Sequence, residues 1–328
     1  MRASHAASLF VALAAAAAVG FAVQPGETGD LSYFVHSAQG LLSGAWGDTY
    51  ANPTLQIGPL QLVLFGSVDA LAGAIGVSTT RLIGAVVGAA AAGLFWLVIR
   101  RLLGGRGGLW ALGAAGLAPV ALGLTFDAYR DGHPAQVLVP LLWVLAGLEI
   151  RKGRAWLAGG LVGLSAGLEL WGVLGIVVFF AAPRLHVGLR ALADAALIVL
   201  VLFAPFAFAG EFRMFEYGWE VNGDTLLSLL VEPGTAFTWQ LRVLQGATAL
   251  LAGAFVTWSL RRSTSALWAG PLAVVSVRLA LDPVRYPWYW LALETLVLVG
   301  AVQLASNLGR LTISLRSGRA VEGSSTLT

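Results

Sequence analysis

The stretch RKGRAWLAGGLVGLSAGLELWGVLG, residues 151–175, decides how the chain must fold. Three cations, Arg151, Lys152 and Arg154, lead into a small-residue apolar run that one acid, Glu169, interrupts. A helix needs roughly 20 apolar residues to cross about 30 Å of hydrocarbon. The runs on either side of the acid, 156–169 and 171–183, are shorter and read as two half-helices meeting near Glu169 and Trp171. Broken helices that converge inside a membrane often line a site. A carboxylate at that depth must be protonated, paired or facing water, which makes Glu169 a candidate site residue. The bland alternative is a neutral Glu tying two helices together by a hydrogen bond.

Outward from this stretch the same alternation of basic clusters and apolar runs fills the chain. Hydrophobic residues make up 58% and charged residues 11% of the 328. A soluble domain carries roughly 25% charged residues, so this chain lacks the polar surface for one. In lipid the backbone must bond to itself, and the runs lack the alternation of an outer-membrane barrel, so they are expected to be helices. Spans are expected near 6–23, 82–99, 108–126, 135–150, 156–169, 171–183, 191–209, 241–260, 265–281 and 287–305. The fold class is therefore all-α, a polytopic transmembrane helical bundle of about ten spans.

Charge sets the expected orientation. Arg2, the Arg100–Arg101–Arg106 cluster, residues 151–154, Arg184 with Arg190, Arg261 with Arg262, and Arg310, Arg316 and Arg319 can all be cytoplasmic together. The opposite loops then hold Asp30, Asp48, Asp127, Asp131, Glu211, Glu216, Glu220, Asp224 and Asp282. Residues 56–76 are apolar enough to span, but Gly58, Pro59, Gly66 and Asp69 favour a re-entrant or partly inserted piece on the outer side. The first run has no clear cleavage site and is read as an uncleaved helix rather than a signal peptide. Residues 1–309 are expected to form a single integral membrane domain and 310–328 a disordered cytoplasmic tail. The net charge of +3 is scattered, which points to lipid and not nucleic acid as the partner. With no cysteine there is no disulfide or thiolate chemistry.

The outer loops carry the remaining chemistry. In the first, Asp30 follows the opening helix, and Tyr33, Phe34, Leu41 and Leu42 give a short amphipathic pattern suited to a juxtamembrane helix. Asp30 could simply cap that helix. The second loop, TFDAYRDGHPAQ, packs Asp127, Arg130, Asp131 and His133 before Pro134. It reads as a capped turn with Asp131 or Gly132 near the cap, or less readily as a metal site of Asp127, Asp131 and His133. The long loop at 210–240 mixes acids and aromatics, as a sugar-binding surface or an interfacial belt would. In VRLALDPVRYPWYW, Arg278 and Asp282 are four apart and are expected to pair on one helix face. Alternatively Arg278 or Arg285 binds a phosphate at the membrane surface.

The order of GDLSYFVHSAQGLLSG, YANPTLQIGPL, DGHPAQ, the 151–175 stretch and RLALDPVRYPWYW resembles the polytopic GT-C glycosyltransferases. The likeness is to the actinobacterial polyprenyl-phosphate-mannose-dependent mannosyltransferases in particular, and covers residues 1 to about 300. The resemblance implies an enzyme of the bacterial cytoplasmic membrane with its active site outside. It would move a hexose, mannose by the likeness, from a polyprenyl-phosphate-linked sugar to a glycan or glycolipid acceptor. Asp30 would be the general base. Arg130, His133, Glu169, Arg278, Asp282, Arg285 and Tyr289 would bind the donor phosphate and substrate, with no metal or cofactor assigned. The family usually carries a lysine in the helix–helix turn where this chain has Glu169. A lipid phosphate is a good leaving group, so one base and cationic stabilisation suffice, and inversion is expected. Two other classes stay open: a transporter or lipid flippase, and a non-catalytic membrane subunit.

Overall fold

The computed structural model describes residues 3–23, 29–104 and 109–322. Arg2, Arg106 and residues 323–328 of the expected tail lie outside the described residues. Helices α1 (Ala3–Ala22), α2 (Leu31–Leu42), α3 (Pro59–Ile75), α4 (Thr79–Leu102), α5 (Leu109–Ala121) and α6 (Leu124–Arg130) build the first part. Helices α7 (Ala135–Arg151) and α8 (Ala155–Leu168) and a 3-10 helix (Leu170–Ala181) follow. Helices α9 (Leu185–Ala209), α10 (Trp239–Ser259), α11 (Ala266–Ala280) and α12 (Trp290–Glu322) complete the bundle. The chain is thus mostly helical, an all-α membrane protein. A two-residue antiparallel pair, β1 (Trp219–Glu220) with β2 (Ala236–Phe237), lies in the long loop before α10.

Helices α1, α4, α9, α10 and α12 are long and apolar enough to cross a bilayer, and α5 with α6, bent by 42°, would make a sixth span. The helix α12 runs through Glu322, so a helix stands over 310–322 where the composition suggested a disordered tail. No proline stops the last helix in SNLGRLTISLRSGRAVE.

Helix α7 lies at the centre. Its residues are buried almost all round, including Val137, Leu141, Trp143, Val144 and Ile150, and a helix apolar on every face belongs inside a bundle. It packs against α4, α8, the 3-10 helix, α11 and α12. A second cluster joins Phe34, Leu41, Tyr50, Phe65, Val87, Tyr129 and Phe206, seating α2 and α3 on the acid-bearing end of the bundle.

The packing of α1 on α4 resolves the 56–76 segment. A Cβ on Gly20 would stand 2.1 Å from the Gly84 carbonyl oxygen, and one on Gly88 would stand 2.7 Å from that of Ala16, so the two helices run antiparallel. The end of α1 and the start of α4 therefore lie at one end of the bundle, and any crossings between them must be even in number. Helix α2 has 12 residues, too few at about 1.5 Å each to cross a bilayer. Helix α3, one unbroken helix of 17 residues, consequently begins and ends on the same side, as a partly inserted piece would. It packs beside α2, with Gln39 Nε2 donating to Asp69 Oδ2 at 2.8 Å.

Candidate functional site

Two glycines bring the first and second loops together. Gly29 and Gly132 adopt φ of +96° and +83°, which side-chain-bearing residues rarely adopt. A Cβ on Gly132 would meet the Leu31 backbone at 2.9 Å, and one on Gly29 would meet the Asp131 Cα at 2.7 Å. At this crossing the Asp30 N–H donates to the Asp131 carbonyl at 3.2 Å, and Gln61 Nε2 donates to the Gly132 carbonyl at 2.8 Å. Asp131 caps the C-terminus of α6, while Pro134 stands at the N-cap of α7, so the expected cap for α7 is corrected by a few residues.

Asp30 occupies the N-cap position of α2, but its side chain makes no capping bond. Its Oδ2 instead lies 3.3 Å from His133 Nε2, and 52% of the side chain is exposed. On the other side of the ring, His133 Nδ1 lies 3.1 Å from Glu169 Oε1. Each ring nitrogen thus faces a carboxyl oxygen, and both donate when the ring is protonated. The ring stacks face to face on Trp288 at 4.8 Å and takes the edge of Phe34 at 5.3 Å. Burial pulls the His133 pKa down, but the hydrogen bonds and charges of Asp30 and Glu169 outweigh it and raise it from 6.5 to about 9.

Glu169 sits where the sequence breaks the helix. It is extended, with φ −144° and ψ 139°, between α8 and the 3-10 helix. Trp143 Nε1 supports the break by donating to Ser165 Oγ and the Gly172 carbonyl at 3.2 and 2.9 Å. The segment at Ile57 pairs with Glu169 as a strand would, and Gly58 N donates to the Leu168 carbonyl at 2.7 Å. The buried carboxylate also receives Gln136 Nε2 at 2.8 Å and Trp171 Nε1 at 2.5 Å. Three donors on two oxygens satisfy it at a depth where an unpartnered acid would be costly.

The cationic side of the site departs from expectation. Arg278 and Asp282 do not pair. Helix α11 ends at Ala280, so the four-residue spacing no longer places the two on one helical face. Asp282 instead accepts from Arg242 Nη1 at 3.3 Å and from Gln245 Nε2 at 3.4 Å. Arg278, 7% exposed, lies between the rings of Trp171 at 4.8 Å and Tyr289 at 5.1 Å. Among the described residues its Nη1 has no hydrogen-bond partner, and neither have Nε and Nη2 of Arg242. Arg242 rests on Trp219 at 3.9 Å and Phe237 at 5.3 Å, which is the work of the small β pair. Arg242 is the residue the sequence reading missed. The signal was there as a lone arginine with Gln245 one turn on, in an otherwise apolar helix.

Arg285 lies over Trp290 at 5.5 Å and borders a cavity of about 280 Å³ with Asp282, Tyr286, Tyr289, Leu279 and Leu293. Arg130 is occupied elsewhere: it pairs with Asp131 at 2.9 Å and Asp127 at 3.3 Å. Asp127, Asp131 and His133 are therefore not assembled into a metal-ligand set, the two acids facing Arg130 and the ring facing Asp30 and Glu169.

The fold and the site define a polytopic helical membrane protein with a His bridged between two carboxylates, and with a buried arginine, Arg278, and a half-buried one, Arg242, on its cationic side. Compared with known protein families, curated proteins and solved structures, the chain matches none.

Proposed function

We propose that this chain is a membrane glycosyltransferase of the GT-C kind, using a polyprenyl-phosphate-linked hexose, mannose by its sequence resemblance, as donor. One observation carries the reading: Asp30, His133, Glu169, Trp171, Arg278 and Tyr289, drawn from four distant segments, touch one another in a single continuous chain of contacts. That chain starts at a half-exposed carboxylate and reaches a buried guanidinium whose Nη1 has no partner among the described residues. Base and anion holder are the two parts an inverting transfer from a lipid phosphate needs.

In the reaction Asp30 takes the proton of an acceptor hydroxyl while that oxygen bonds to the anomeric carbon. The bond from that carbon to the phosphate oxygen breaks, and the electron pair stays on the departing polyprenyl phosphate. The free N–H groups of Arg278 and Arg242 stabilise that charge, a role guanidinium suits by geometry and permanent charge. Arg285 stands at the mouth of the adjoining cavity. The glycan or glycolipid acceptor approaches from the extracytoplasmic side, and about ten helical segments enclose the site in the bacterial cytoplasmic membrane.

The test is direct. Purified protein incubated with a panel of polyprenyl-phosphate sugars should release polyprenyl phosphate and form a product of inverted anomeric configuration. Asp30→Asn should insert and fold normally but lose about 100- to 10,000-fold in turnover, the usual reach of a general base. Retained configuration would exclude the single displacement. An Asp30→Asn variant of full activity would remove Asp30 as the base, and no release from any donor would favour a transporter or a scaffold.

A further inference from the structure

We propose that His133 is a positioning residue that acts through Asp30: its imidazolium bridges the buried Glu169 to Asp30 and fixes where the Asp30 carboxylate faces. The inference rests on the transferase reading. Its ground is the geometry of the ring. Nδ1 meets Glu169 at 3.1 Å and Nε2 meets Asp30 at 3.3 Å. A neutral imidazole has only one N–H, so it would turn a bare lone pair on one of the two carboxylates. With both carboxyl groups ionised, only the doubly protonated ring satisfies both.

Every group around the ring serves this arrangement. Glu169 is fixed independently by Gln136 and Trp171, so it forms the rigid end of the bridge. Trp288 covers one face of the ring and is itself stacked on Tyr286 at 4.6 Å, while Phe34 closes an edge. The charged neighbours lie one step away: Arg130 is turned to Asp127 and Asp131, and Arg278 is set behind the Trp171 ring. Asp30 is the loose end. Its side chain is half in solvent and makes no cap bond, so without the ring it would be free to rotate. A base that must meet a hydroxyl within hydrogen-bond distance loses rate when its direction is lost.

The sign of the pH dependence follows. The raised His133 pKa, about 9, leaves the bridge whole at neutral pH and opens it as the pH rises through that value. Turnover by the full-length protein, with a polyprenyl-phosphate sugar as probe, should therefore fall on the alkaline side near pH 9. His133→Gln should lower kcat about 100-fold with the donor KM little changed, and should lose that alkaline limb. Glu169→Gln should keep part of kcat and move the limb to lower pH. Should His133→Gln not fold, Glu169→Gln carries the same comparison.

A readout without turnover separates the two claims. The chain has four histidines, and the His133→Gln spectrum assigns the His133 signal in a labelled sample titrated by NMR. It should titrate near 9 in the wild type and closer to 6.5 in Glu169→Gln. Wild-type turnover with kcat and pH profile unchanged in His133→Gln overturns the positioning role and leaves the transferase reading intact. A wild-type His133 that titrates at its ordinary value overturns the bridge whatever the activity. No turnover with any donor, while His133 titrates near 9, overturns the transferase reading and with it the catalytic role.

Discussion

Asp30 occupies a capping position without capping, because its carboxylate turns to a ring delivered from another loop. The acid, the histidine and Glu169 could each be singled out in the sequence, since polar groups among apolar runs stand out. That they touch could not, because the contact depends on two left-handed glycines and a strand-like segment at Ile57. Arg242 escaped for the opposite reason: near a helix end, an arginine passes for an ordinary interfacial residue that reaches toward the headgroups. Its value becomes visible only with Trp219 and Phe237 beneath it and Asp282 beside it. If Arg242 and Arg278 hold a phosphate, Arg242→Gln and Arg278→Gln should each lower kcat/KM for the donor about 10- to 100-fold, the worth of a charge-assisted hydrogen bond. Steady-state kinetics with varied donor measures this. An unchanged kcat/KM in both would remove the phosphate role from this pair.

At the scale of elements the break at Glu169 was readable because two apolar runs were each too short to span and met at an acid. What filled the break was not readable. The chain at 57–58 enters it from the first loop, and a Cβ on Gly58 would stand 2.1 Å from the Gly167 carbonyl oxygen. Two backbones approach this closely only where a side chain is absent. Gly58→Ala should therefore push the segment off Glu169, destabilising the protein by about 1–3 kcal/mol, as overpacking does. It should also slow turnover through the displaced Glu169–His133 contact. The control is Gly73→Ala, further along the helix that Gly58 caps and with open space where its Cβ would stand. Thermal unfolding in detergent compares the pair, and equal midpoints would show that the close approach at Gly58 is dispensable.

For the whole molecule, composition and the alternation of charge were enough to read a helical membrane protein, while sidedness depends on how many crossings lie between the charges. The antiparallel packing of α1 on α4 leaves α3 on one side, and this makes the expected sorting of acids and arginines self-consistent. If α3 crossed instead, Asp48 and Glu216 would fall on opposite faces. The chain contains no cysteine, so single reporters carry no background. Asp48, Arg184, Glu216 and Arg262 are all exposed and suit replacement by cysteine. In intact cells a membrane-impermeant maleimide should label Asp48→Cys and Glu216→Cys directly, and Arg184→Cys and Arg262→Cys only after lysis. Labelling of Asp48→Cys without Glu216→Cys would mean an odd number of crossings between them. Reversal of the whole pattern would put Asp30 on the cytoplasmic face. The proposed transfer to an extracytoplasmic acceptor would then lose its setting, even with the His133 bridge intact.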